Sequence, residues 1–345
     1  MLNLSPLIRH TLLCAGLTSV LGTAGAQTVL KVSNWIPMQH SYNTEVVIPW
    51  AAQIEKATQG RVKLEILPKV VGTPGTQYEV ARDGLADIVT VVPGYSPGRF
   101  DVFGLGELPM ASADPVVGAP AYYNFYEKHL AALNLFKGTH VLSAFTTSPG
   151  QIFTSKKPVT SMADFSGLKL RSPVTTTVDS IKAVGAVPMQ KPSTELYELL
   201  SGGVLDGTLA GPDQVNGMRL GEVTRHLTVV PGGFYSSVMV VLINEDVWKK
   251  ISDADRKSIQ AISGKPFAER IGVVFSKSVA DGVTAFKAKG GTVTEASPAM
   301  VAEMKKAFDP MEKAMFDKAR KAGLANPEGA LAELKAEIAR NESRK

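Results

Sequence analysis

The chain has 345 residues, 44% apolar and 20% charged, with 31 Gly, 21 Pro and a formal charge of +5 at pH 7. This is the make-up of an ordinary globular protein, which excludes a disordered tail or a fibre, and the length predicts two domains with cores of their own. The positive excess is spread along the chain with no long block of like charges, so nucleic acid is not implied as a partner.

The first 26 residues read as a separate object. Arg9 precedes an apolar run over 12–21, and Ala24-Gly25-Ala26 has the small-x-small form that signal peptidase accepts. A cleaved leader and an exported chain starting at Gln27 are expected. No later run supplies the roughly 20 apolar residues of a membrane span. Cys14, the only cysteine, lies inside the leader behind Leu12-Leu13 rather than behind the small residues of a lipoprotein site. Its removal leaves no thiol, and with it no disulfide, thiolate ligand or cysteine nucleophile.

In chain order, residues 28–33 predict a strand, 43–58 a helix closed by Gly60, and 61–67 a half-buried strand with Val62, Leu64 and Ile66 on one face. A helix over 77–83, a strand over 87–92, a helix over 119–135 and a strand over 141–145 follow. After Pro149-Gly150 a second series begins: strand 168–171, helix 175–184, strand 187–190, a helix capped by Ser193 and running to Leu200, and strand 205–209. Residues 236–243 form a continuous apolar run that predicts a strand buried on both faces. Helices then dominate: Ser252 with Asp255 resembles a capping box, Pro266 opens a helix to Lys289, and Ser297-Pro298 starts another. Residues 328–340 predict a surface helix held by a stripe through Leu331, Leu334 and Ile338. The alternation indicates an α/β protein with a largely parallel sheet, its two βα series dividing near residue 149.

Gly94-Tyr95-Ser96-Pro97-Gly98 matches the nucleophile elbow of serine hydrolases and follows a strand, so a secreted hydrolase using Ser96 is one reading. Against it, 99–104 shows no helical periodicity and no Gly-rich oxyanion segment precedes the motif. The other reading is a loop at the carboxyl end of a strand, where open α/β sheets bind ligands. Of His10, His40, His129, His140 and His226, none has zinc-ligand spacing, so no metal site is expected. His40 stands out by its place in the loop of Trp35 to His40 after the first strand. Gly72-Thr73-Pro74-Gly75 reads as a simple turn or as backbone donors for an anion. Arg171 carries the clearest chemical signal. It ends a predicted parallel strand, where its planar fork of donors would face the crevice above the sheet and suit a carboxylate.

Over nearly the whole mature chain the sequence is similar to the periplasmic solute-binding proteins of tripartite ATP-independent periplasmic (TRAP) transporters, the DctP family. The likeness is strongest over 158–171, continues through Leu196-Tyr197 to Gly202-Gly203-Val204-Leu205-Asp206-Gly207, and includes Glu222-Val223-Thr224 and Asn244-Glu245-Asp246-Val247-Trp248. The resemblance implies a two-lobed periplasmic-binding-protein fold of type II-like form, with a central cleft and a helical C-terminal extension. Lobe one would hold 27–148 and 236–277, lobe two 149–235 and 278–325, with 326–345 a terminal surface helix. It also implies a receptor in the periplasm, not an enzyme. The receptor takes a small organic acid anion without a cofactor, passes it to membrane permease subunits, and is a monomer or a homodimer.

By the same resemblance Arg171 is the carboxylate clamp, while a second position that is often arginine in sialic-acid and some dicarboxylate receptors falls on Gln151. The family's Asn-Pro becomes Ala210-Gly211-Pro212-Asp213 here. Both departures count against sialic acid and dicarboxylates and leave the identity of the acid open. The loop 93–100 and Pro212-Asp213 resemble a branch that takes hydroxy or keto monocarboxylates, some of them aromatic. Trp35, Tyr95, Phe234 and Tyr235 would then wall the ligand, and His40, Asp213 and Gln214 would meet its polar groups. Arg171 alone is insufficient: a micromolar dissociation constant is about −8 kcal/mol, and a charge-assisted hydrogen bond nets roughly 1.5 to 3.

Overall fold

The computed structural model describes residues 27–111 and 114–344, so the expected leader, with Cys14 and His10, lies outside the described residues. The chain begins with strands β1 (Thr28–Ser33), β2 (Val62–Ile66), β3 (Ile88–Val91) and β4 (Thr139–Thr146). It crosses to a second sheet for β5 (Gln151–Thr154), β6 (Lys169–Ser172), β7 (Val187–Gln190), β8 (Gly207–Ala210) and β9 (His226–Val229). It then returns for β10 (Val238–Asn244) and ends its strands with β11 (Thr292–Glu295). The sheets are ordered β2-β1-β3-β10-β4 and β11-β9-β5-β8-β6-β7, each the centre of one lobe of a two-lobed α/β fold.

The sheets are largely parallel, as expected, and each carries one reversed strand: β10 is antiparallel to β3 and β4, and β5 to β8 and β9. The reason is geometric. The other strands of each sheet run toward the gap between the lobes. A strand that the chain enters straight from that gap, with no helix to carry it back, must run away from it. β5 and β10 are the strands reached this way, across 147–150 and 230–237. These crossings pair with each other: Gly150 N donates to Tyr235 O (2.8 Å), Phe234 N to Gly150 O (2.7 Å) and Thr147 N to Ser237 O (2.8 Å), forming a two-stranded hinge.

β10 is buried along its full length, as its apolar run predicts. Met239, Val241 and Ile243 feed one apolar cluster while Val238, Val240 and Leu242 feed another, the period-two alternation of a strand covered on both faces. The four-residue strands β5, β9 and β11 were not expected from the sequence. The helix expected over 119–135 starts earlier, at Pro115–Phe125, because Asp114 accepts a hydrogen bond from Val116 N (2.8 Å) as its cap. Wider and tighter turns carry it on to Leu133, with Pro120 tolerated inside. Ser193 lies within the first tight turn of its helix and not at the cap, which Pro192 occupies. Ser252 and Ser297 do cap helices, accepting from Asp255 N (3.1 Å) and Met300 N (3.2 Å).

Two long helices span the lobes. Gly264–Ala288 packs near its start on β4 and the helix Pro115–Phe125, and near its end on β11 and the turn Gln214–Gly217. Pro298–Lys321 lies against the tight helix Asp101–Glu107 of one lobe and the helix Thr175–Ala183 of the other. The terminal helix Pro327–Glu342 buries Leu331, Leu334 and Ile338 and packs on Pro115–Phe125. Among the described residues no helix is long and apolar enough to cross a membrane.

Candidate functional site

The ends of β1, β3, β4, β6 and β8 converge on a small cavity between the lobes. Arg171, Trp35, His40, Tyr95, Asp213, Gln214 and Tyr235 all line it. Two expected lining residues do not. Phe234 and Tyr235 are successive residues of the extended hinge, so their side chains point to opposite faces. Tyr235 faces the cavity, and Phe234 turns into the core between Phe165 and Phe308. Gln151 opens β5 just after the hinge, where its Oε1 accepts from Val230 N (2.7 Å) and ties β5 to the returning chain.

Arg171 is the centre of the site. It is 1% exposed, yet no acid pairs with it among the described residues. β6 lies between β7 and β8, and the guanidinium is gripped from both sides: Nε donates to Lys191 O (2.7 Å) and Nη1 to Leu209 O (3.3 Å). Of its five N–H donors, three have no partner among the described residues: one on Nη1 and both on Nη2. A buried, unpaired charge is costly, and an anion arriving in the cavity would relieve it. Burial pushes the Tyr235 phenol well above its ordinary range, against the opposing pull of Arg171, so the phenol stays neutral beside the cation.

The lobe-one wall is mostly aromatic and aliphatic, with His40, Thr147 and Ser237 as polar members. Trp35 spends its indole N–H on Thr90 O (2.9 Å) and leaves its ring to the cavity, tilted at 56° to Tyr95 with centroids 6.0 Å apart. His40 meets Phe275 edge-on at 6.3 Å. Its Nδ1 accepts from Tyr42 N (3.1 Å), which in the neutral ring assigns the proton to Nε2, 3.7 Å from Asp213 Oδ2 in the other lobe. Asp213 also accepts from Ser148 Oγ. Gln214 Oε1 is the one buried side-chain polar atom without a hydrogen-bond partner among the described residues. The sequence reading missed Thr147, Ser237, Met239 and Phe275. Met239 lies on the cavity side of β10 and Ser237 just before that strand, in a run the sequence suggested only as buried, and nothing in the sequence distinguishes Phe275 from any other core aromatic.

The lobes meet across the cleft. Thr175 Oγ1 and Gln190 Nε2 both donate to Gly94 O at 2.9 Å. Thr176 Oγ1 donates to Glu107 Oε2 (2.9 Å), and Val238 N to Glu107 Oε1 (3.1 Å). Burial pushes the Glu107 carboxyl up to about 7, with Asp101 adding to the shift. These contacts also explain the elbow-like motif. A Cβ at Gly94 would lie 2.6 Å from Val174 Cβ, and Gly98 takes a left-handed φ of +78°. The segment after it is a tight helix, Asp101–Glu107, buried nearly all round and therefore without the periodicity the sequence lacked. Ser96 Oγ bonds to no histidine or acid among the described residues, and the hydrolase reading is not supported. The 72–75 segment is a turn, Thr73 N donating to Thr76 Oγ1 (2.9 Å). No cluster of three or more metal-ligating side chains occurs among the described residues.

Two lobes closed on a small, one-cation cavity define a solute receptor of the periplasmic-binding type. The sequence model of bacterial extracellular solute-binding protein family 7, DctP, matches residues 33–319, and the chain belongs to that family. A TRAP periplasmic solute-binding protein from Bordetella bronchiseptica, solved with (R)- and (S)-mandelate bound, is 34% identical; the match covers 91% of this chain and 99% of that one, with a TM-score of 0.88. Another from Rhodoferax ferrireducens, with copurified benzoate, is 25% identical over 92% and 99% of the two chains, with a TM-score of 0.86. The protein TsaT of Comamonas testosteroni, named as an outer membrane transporter protein, is 26% identical over 264 residues, 76% of this chain and 78% of that one. The family and these solved relatives are transport binding proteins and not enzymes, and the two solved relatives named here hold small organic acids.

Proposed function

We propose that this chain is a periplasmic receptor for a small aromatic monocarboxylate, which it captures between its lobes and delivers to the membrane permease of a TRAP transporter after its leader is removed. In this reading lobe one comprises 27–148 and 236–277, lobe two 149–235 and 278–325, and Arg171, Trp35, His40, Tyr95, Asp213, Gln214 and Tyr235 bind the ligand.

The observation that carries the reading is the buried Arg171 fork with three unpartnered N–H groups opposite a wall of Trp35 and Tyr95. Charge counting supports one carboxylate over two. Among the described residues Arg171 is the only Lys or Arg on the cavity and Asp213 the only acid, so a monoanion is matched by the guanidinium while a second carboxylate would meet Asp213 with no cation left. The aromatic acids bound by the two solved relatives support the apolar half of the reading.

Titration calorimetry with benzoate, mandelate and succinate tests it. The aromatic monocarboxylates are expected to bind and succinate not. Arg171→Ala is expected to weaken binding by about 2 to 5 kcal/mol, the usual cost of removing one partner of a buried charge pair. Wild-type affinity in Arg171→Ala, or tighter binding of succinate, overturns the proposal.

A further inference from the structure

We propose that Tyr95 is the length gauge of the receptor: its ring is the partition between the acid-binding cavity and a second, outer pocket between the lobes, and it confines the ligand to the inner of the two. The inference rests on the carboxylate-receptor reading of the inner cavity and adds to it the residue that decides how far a ligand extends.

The outer pocket is lined by the 73–75 turn and Pro97 of lobe one and by Gln190, Pro192 and Thr194 of lobe two, and its volume is about 480 Å³ against about 60 Å³ for the inner cavity. Of the described residues, Tyr95 alone borders both. On the lobe-two side the partition is completed by Ser193, which is buried on the inner cavity while its neighbours Pro192 and Thr194 line the outer pocket.

The two halves of the partition are held differently. The lobe-two half is fastened to the clamp, because Lys191 O on the same segment accepts from Arg171 Nε (2.7 Å), so shifting that segment disturbs the carboxylate site. Tyr95 ends the tight helix Pro93–Tyr95, whose Gly94 O accepts from Thr175 Oγ1 and Gln190 Nε2 of the other lobe at 2.9 Å each. Closure therefore fixes the backbone beside Tyr95, while its ring leans on Trp35. A ligand too long for the inner cavity must displace that ring or hold the lobes apart, and either gives up contacts that closure makes. Shortening the side chain opens a passage into the outer pocket and leaves the lobe contact in place, since that contact uses the carbonyl at 94 and not the ring. Among the described residues the charged members of the outer pocket are Lys191 and Glu195, which pair with each other (2.9 Å), so the extension it suits is neutral. An aromatic acid lengthened by a second uncharged ring has that form.

Titration calorimetry with benzoate, biphenyl-3-carboxylate and biphenyl-4-carboxylate tests the gauge. Wild type and Tyr95→Phe, which both keep the ring, are expected to bind each biphenyl acid at least about tenfold more weakly than benzoate. Tyr95→Ala should bind at least one biphenyl acid at least about tenfold more tightly than wild type does, the order expected for burying a further ring, while its affinity for benzoate falls. Tyr95→Val gives the same comparison if the alanine variant fails to fold. Met239→Ala adds room to the inner cavity without bordering the outer pocket, and should show no such gain. Wild-type binding of a biphenyl acid as tight as that of benzoate, no gain for either acid in the shortened Tyr95 variant, or an equal gain in Met239→Ala overturns the role of Tyr95 and leaves the receptor reading intact. Failure of benzoate to bind wild type overturns both.

Discussion

The two walls of the cavity are built from different chemistry. Lobe two contributes Arg171, Ser193, Asp213 and Gln214, while lobe one contributes mainly Trp35, Ile36, Val92, Tyr95 and Phe275, with His40, Thr147 and Ser237 as its polar members. The polar wall holds directional groups fixed by a sheet: the Arg171 guanidinium is locked by two carbonyls and has no freedom to follow a misplaced anion. The apolar wall has no such demand, because contact with aromatic faces depends on area more than on angle. Orientation is thus assigned to one lobe and grip to the other, and only closure joins them.

The largest expected effect falls on the oriented wall. Arg171→Lys keeps the charge but lacks the fork, so it cannot hold the two carbonyls and a carboxylate together. Binding of every acid should weaken by roughly 3 kcal/mol in calorimetry, and a loss confined to aromatic acids would break the contrast between the walls. Closure comes next. Gly94→Val puts side-chain atoms where Val174 already lies, and overpacking of this kind costs about 1 to 3 kcal/mol. Affinity should drop about 30-fold with the melting temperature of the unliganded protein little changed; unaltered affinity would separate binding from lobe contact. Trp35→Ala strips the apolar wall, with an expected cost of roughly 1.5 to 2 kcal/mol for benzoate and little for acetate. An equal loss for both acids would mean that Trp35 positions the clamp.

The smallest effect is a pH slope at the lobe contact. Glu107 rises from 4.5 to about 7 in the folded protein. A raised acid stabilises fully below its unfolded value, and that contribution is lost as pH climbs through about 7, so between about pH 6 and 8 stability should fall by on the order of 1 kcal/mol from this group. Glu107→Gln mimics the protonated side chain and should flatten that part of the melting curve. Parallel pH profiles for the two proteins would remove Glu107 from the account.

Much of the frame was legible in the sequence for identifiable reasons. β1 and β10 carry dense apolar runs, Ser252 and Ser297 announce helix starts, and Arg171 stands at a strand end before a polar loop. The reversed strands were not legible, because strand direction is decided by where the chain re-enters each sheet and not by residues within β5 or β10. Phe234 and Tyr235 looked alike until the hinge backbone pointed them apart, and Gln151 took a structural bond that only the pairing of the crossings creates. Gln214 was readable as a polar candidate, but its lack of a partner is a property of three-dimensional packing alone.

The placement of β10 has a consequence for how the molecule assembles. It fills the slot between β3 and β4, yet the whole second sheet except β11 precedes it in the chain. As the polypeptide is made, the first lobe has a missing central rib until residues 238–244 arrive, and its two flanking edges stay open. Neither half can mature ahead of the other, so folding is a late, joint event dominated by contacts distant in sequence, which is the slow regime for a chain of this size.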